Sequence, residues 1–171
     1  MKNTWIEELA VRHRETGVVV DAGLLVLWIA GSLDRSLIAR HKRLGTYRVE
    51  HYDALRFIIS RFSRLLTTPH VLTEATNLAR QTGQPARDQL LDALAQIVGT
   101  AGEGQKVWEK HTPAQVLCQR PDFVLLGIAD TALIEVAREC GALVVTDDNM
   151  LLARLQQEEL HSLSILRLEI R

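Results

Sequence analysis

Two apolar runs in this chain end on aspartate and turn at once into a helical pattern. Gly17 leads into Val18, Val19, Val20 and Asp21, and Leu143–Thr146 leads into Asp147 and Asp148. Such short, β-branched runs with no polar alternation read as strands buried on both faces. A buried strand that passes straight into a helix, at two distant places, admits few folds. Parallel strands need helical crossovers, and those crossovers cover the sheet on both sides.

The remaining pattern is consistent with that architecture. Residues 23–30 read as a buried helix stopping near Gly31. Leu55, Ile58, Ile59, Phe62, Leu65 and Leu66 recur at steps of three and four, which predicts an amphipathic helix over 50–66. "LLTTP" reads as a short strand and turn, with Thr68 as N-cap and Pro69 opening a helix to about Gln81. Pro85 and Gly99 bracket the next helix, residues 130–140 form another ending at Gly141, and residues 149–157 one more. "LSILRLEI" is a last strand-like run; residues 32–48 and 100–122 carry no clear pattern. The expectation is one α/β domain over residues 1–171. It is a three-layer α/β/α sandwich around a mostly parallel sheet, with a basic helical insert around 32–64.

Composition narrows the function. A chain of 171 residues suits a single domain burying roughly two-thirds of its unfolded surface. Net charge is −1, so no global basic field points to a polyanion. Cys118 and Cys140 stand alone, which favours a reduced compartment over a disulfide framework. The histidines at 13, 41, 51, 70, 111 and 161 show no helical ligand spacing, which argues against zinc. "VVVDAGLLVLWIAG" is too short to cross a bilayer and contains Asp21. A cytoplasmic protein without membrane association is expected.

Four acidic positions recur in a telling order: Asp21 after the first strand, Glu74 in the helix after "LLTTP", Asp130 at a helix start, and Asp148 beside Asp147. Each has an ordinary explanation, since Asp is among the best N-caps and Glu usually faces solvent. Strand ends and the helix starts that follow them nevertheless share one rim of a parallel sheet, where such folds bind ligands. Asp130 feeds the strand at Leu143 from the other end of the sheet, so it joins that rim only if its helix tilts over it. Converging carboxylates raise one another's pKa, and a hard divalent cation relieves the cost.

"VVVDAGLLV", "TTPHVLTEATNL", "GIADTALIEVA" and "VVTDDNMLL" resemble, in order and spacing, the four acidic motifs of PIN-domain nucleases, over residues 18 to about 152. The resemblance implies an endoribonuclease dependent on Mg²⁺ or Mn²⁺, with Asp21, Glu74, Asp130 and Asp148 as catalytic and metal-binding acids. It leaves 5′-phosphate and 3′-hydroxyl products. Asp147 becomes an additional candidate ligand, Asn77 a supporting residue one turn beyond Glu74, and Thr146 the hydroxyl that steadies a carboxylate or a water. An RNA substrate follows, as do an antitoxin or other protein partner and a homodimer. Two rivals remain: a catalytically silent PIN-like module that binds RNA or protein, and a flavodoxin-like domain whose acids are only caps, far apart in space.

Between Arg35 and Arg64 the chain is strongly basic, and Arg40, Lys42, Arg43 and Arg48 are the candidate RNA contacts. Tyr47 and His51 are candidates for stacking on unpaired bases. "GTAGEGQK", residues 99–106, lacks the Walker order and reads as a turn.

Overall fold

The computed structural model describes residues 4–100 and 107–168. In chain order the elements are α1 (Thr4–Arg12), β1 (Val18–Val20), α2 (Ala22–Leu33), α3 (Ser36–Arg40), α4 (Val49–Ile59), β2 (Leu65–Thr67) and α5 (Pro69–Ala79). There follow α6 (Ala86–Gly99), β3 (Val107–Glu109), α7 (Ala114–Cys118), α8 (Phe123–Cys140), β4 (Leu143–Val145), α9 (Asn149–Gln157) and β5 (Ser162–Leu163). Among the described residues the sheet has five strands in the order β3-β2-β1-β4-β5, all parallel.

The chain runs outward from β1 through β2 to β3, then returns to β4 and continues to β5. Right-handed crossovers therefore place α2 to α6 on one face and α8 and α9 on the other, giving three layers. α2 packs against α3, α4, α5 and α6, and α8 against α9, while α8 also meets α5. β1 and β4 are central, and all their residues are buried. No described helix is long and apolar enough to cross a membrane.

Several boundaries differ from the sequence reading. Gly31 does not stop α2, which runs to Leu33. A Cβ on Gly31 would lie 2.3 Å from the Tyr52 ring, so this glycine is the place where α4 lies against α2. The helix expected over 50–66 ends at Ile59, and Leu65 and Leu66 belong to β2, the strand also expected in "LLTTP". Their apolar spacing continues the helical rhythm by chance across the intervening turn. The expected insert at 32–64 is the crossover from β1 to β2 itself, with α3 in its middle.

Within 100–122 the edge strand β3 pairs with β2, and α7 follows. Residues 101–106, most of the "GTAGEGQK" turn, lie outside the described residues. Among the described residues of the run "LSILRLEI", Leu163 alone pairs with β4, joined by Ser162 just before it, and residues 169–171 lie outside the description.

The helix expected at 130–140 begins earlier, at Phe123, and is interrupted at Gly127 (φ 79°, ψ 178°). That conformation is essentially closed to residues with a Cβ. Its second segment carries Asp130 in its opening turn. A buried ion network fixes the helix. Asp122 meets Arg154 and Arg138, Glu135 meets Arg120 at 2.6 Å and Arg138, and Glu158 meets Arg138 and Arg154. Three acids face three arginines, which compensates the cost of removing Asp122 and Glu135 from water.

Candidate active site

β1 and β4 lie side by side, with Val20 opposite Val145. Beyond this pair the chain leaves toward opposite faces, α2 to one and α9 to the other. The divergence opens a crevice at the carboxyl ends of the strands, the usual ligand position in an open α/β sheet. Asp21 and Thr146 are the first residues past the two strands. The Thr146 hydroxyl, fully buried, donates to Asp21 Oδ2 at 2.6 Å and accepts from the Asp148 backbone N–H at 3.1 Å.

The capping explanation holds for two of the acids. Asp21 Oδ1 accepts from the Leu24 N–H at 2.7 Å, and Asp148 Oδ1 accepts from Met150 and Leu151 at 2.7 and 2.9 Å. Capping does not compete with a site here, because it occupies only Oδ1 of each. Asp21, Asp147 and Asp148 share one open cleft of about 380 Å³ with Glu74 of α5 and Asp130 of α8. Asp130 caps nothing; the break at Gly127 starts a new helical segment at the rim, so its carboxyl reaches the cleft.

Electrostatics record the convergence. Burial, followed by the Asp21, Asp148 and Glu74 carboxylates, pushes Asp130 up to about 7. Burial also raises Asp21 to about 6, with Asp147 adding to the rise while the Thr146 and Leu24 hydrogen bonds oppose it. Acids scattered over separate surfaces could not act on one another this way, so the caps-only reading is set aside.

Asp147 plays a different part from Asp148. Its Oδ1 accepts from Ser164 Oγ at 2.6 Å and from the Leu166 N–H at 3.0 Å, tying the segment after β5 to the cleft. Its Oδ2 is buried without a hydrogen-bond partner. Tyr47, which lines the same cleft and faces the Asp147 carboxylate, has its hydroxyl pKa pushed up by burial, then by Asp147 and Asp21. It therefore stays protonated beside the acids.

The remaining candidates are spread more widely. Arg43 lines the cleft, with Nε on Gln81 Oε1 at 2.7 Å. Arg40 is occupied locally by Asp34 and Ser36 (3.1 and 2.7 Å). Lys42 and Arg48 are exposed and outside the cleft lining, as is Asn77 one turn beyond Glu74. His51 does not offer a stacking face: it is buried, and its Nδ1 accepts the Arg48 N–H at 3.0 Å, closing the start of α4. What the sequence could not reveal is that Thr46 and Tyr47 form a wall of the cleft, since nothing in residues 41–48 fixes a turn returning to the rim.

Among the described residues, no group of three or more His, Cys, Asp or Glu side chains is arranged to hold a metal ion. The donor chemistry still suits a hard divalent cation: carboxylates alone, two of them with raised pKa. Glu74, exposed on α5, has the freedom to swing toward the other acids.

No protein-family model matches the sequence, and no curated protein matches it at a significant level. The functional reading therefore rests on this geometry.

Proposed function

We propose that the protein is a PIN-like, Mg²⁺- or Mn²⁺-dependent endoribonuclease. The observation that carries the reading is the convergence of Asp21, Glu74, Asp130 and Asp148 on one cleft at the sheet's switch point, where the other three carboxylates raise the pKa of Asp130. Carboxylates held this close disfavour their own ionisation. Asp21, Glu74, Asp130 and Asp148 would hold the ion, which when bound supplies charge neutralisation at the phosphate and a more acidic water.

The chain's own residues prepare that chemistry. Thr146 keeps Asp21 in one rotamer, Asp147 anchors the tail that closes one side, and Arg43 presents a cation at the rim for a substrate phosphate. The neutral Tyr47 hydroxyl can donate to a phosphate oxygen without adding charge. A cytoplasmic setting, an antitoxin and a homodimer belong to the same PIN-like reading.

The test is cleavage of a labelled RNA with Mg²⁺ or Mn²⁺, against Asp21→Asn and Asp130→Asn. Loss of cleavage in both, with folding retained, is expected; full metal-dependent activity in both rejects the site. One observation favours a second reading, a silent PIN-like module binding RNA or protein: among the described residues no three ligands are arranged to hold a metal ion. Calorimetry separates the two, since the module takes up neither ion at millimolar concentration.

A further inference from the structure

The basic run between Arg35 and Arg64 does not form one surface. α4 begins beside the Tyr47 wall and runs down the sheet, so its last turn lies at the opposite rim, where β2 begins. The Arg64 carbonyl accepts from the Val18 N–H at 3.0 Å and Ser63 Oγ donates to the Arg14 carbonyl at 3.0 Å, which ties residues 60–64 to the amino ends of the strands. Three clefts meet there, and Ser60 lines all of them. One lies beside Arg14 and Arg61, one between Trp28, Arg56 and Phe62, and one between Arg35, Arg56 and Phe57.

Two features set this surface apart from an ordinary solvated face. Arg14, Arg56, Arg61 and Arg64 are exposed and form no salt bridge among the described residues; Arg35 alone is paired, with Asp53 at 2.8 Å. Two of the four guanidinium groups lie over aromatic rings, Arg61 at 4.3 Å from the Phe57 centroid and Arg64 at 5.1 Å from that of Trp108. Stacking fixes the guanidinium plane and leaves its N–H edge free for a phosphate. Trp108 is 40% exposed, and Phe57 and Phe62 are half-buried between the arginines. Exposed cations stacked on rings match a single strand, whose phosphates take the guanidinium N–H edges and whose unpaired bases stack on the guanidinium planes and the ring surface left open. An acidic peptide would use the first feature and not the second.

We propose that the clefts around Ser60 form a second RNA-binding surface, which takes the backbone of single-stranded RNA at the rim opposite the acids. This inference rests on RNA being the ligand, not on the acids being catalytic. The Coulomb attraction here offsets the repulsion that the acidic cleft exerts on the same polyanion.

The experiment is fluorescence anisotropy with a labelled single-stranded RNA of about 20 nucleotides in EDTA, which separates binding from cleavage. Arg56→Gln/Arg61→Gln/Arg64→Gln is expected to lose roughly tenfold or more in affinity, with the salt slope falling by about 2, near 0.7 per phosphate released. Arg56→Gln alone, which disturbs no ring contact, controls for folding and should weaken binding in the same direction. Unchanged affinity and slope in the triple variant overturn the proposal. So does displacement of the RNA by poly-glutamate at equal charge concentration, which would mark a surface for acidic protein. Metal-dependent cleavage of a trinucleotide, too short to reach this rim, reports on the nuclease reading alone.

Discussion

Thr146 and Asp21 lie 125 positions apart in the chain and share a 2.6 Å hydrogen bond across the join between β1 and β4. The donor is fully buried, and the acceptor is the acid at the centre of the cleft. The bond opposes the rise that burial imposes on Asp21, so it favours the ionised form a cation requires.

Replacing the donor tests that role. Thr146→Val should raise the Asp21 pKa further and lower metal affinity and cleavage by roughly 10–100-fold, while Thr146→Ser retains most of both. Titration of divalent-ion binding against pH reads the effect. Equal affinity in the two variants would remove Thr146 from the site.

Asp130 makes stability depend on pH. Its folded pKa, about 7, exceeds the unfolded value of 3.8, so between them the folded state holds a proton that the unfolded chain has released. Stability without divalent ions should thus fall as pH rises from about 4 to about 7, by at most about 4 kcal/mol from this group. Asp130→Asn should melt higher than the unmodified protein at pH 7.5 and equally at pH 4. Millimolar Mn²⁺ should shrink the difference by stabilising only the unmodified protein. Thermal melts in EDTA and Mn²⁺ settle it.

Gly127→Ala forces a Cβ onto φ 79°, with open space around it, so the cost is backbone strain of about 1–3 kcal/mol. Relief of that strain would rotate the segment that carries Asp130. Cleavage should therefore fall by more than the stability loss alone explains, measured well below the melting temperature.

Glu135→Ala leaves Arg120 and Arg138 facing a buried gap. Because both arginines are partly solvated and Arg138 keeps Asp122 and Glu158, the loss should be about 1–3 kcal/mol, or a fall of roughly 2–12 °C in melting temperature. Glu135→Gln should lose less, because it keeps an oxygen acceptor.

Long-range order in this fold is legible where the sequence is monotonous and lost where two signals overlap. Val18–Val20 and Leu143–Val145 admit no reading except buried strands, and Thr68 with Pro69 starts α5 as expected, the cap bond measuring 3.2 Å. Leu65 and Leu66 carried two readings, the end of a helical rhythm and the short strand of "LLTTP", and only the strand holds, because three residues of strand pattern are too few to cut off a rhythm running up to them. Asp21, Glu74, Asp130, Asp147 and Asp148 could be picked by residue type, yet their meeting depends on strand order, which no local pattern encodes. Gly127 gives one signal for the reach of Asp130, a glycine inside a helical stretch, but only a positive φ reveals its purpose. Tyr47 and Arg43 were named without a way to tell cleft from surface.

α4 has a consequence for how a strand could be measured. One end adjoins the wall that holds Tyr47, and the other leads directly into Ser60, so the eleven residues of α4 separate the two places proposed to bind ligand. At 1.5 Å per residue that is a rod of about 16 Å, stiff and packed along its length. Such a rod sets a minimum reach: a fragment spanning less touches one end only, and one spanning more is gauged against a length that does not flex.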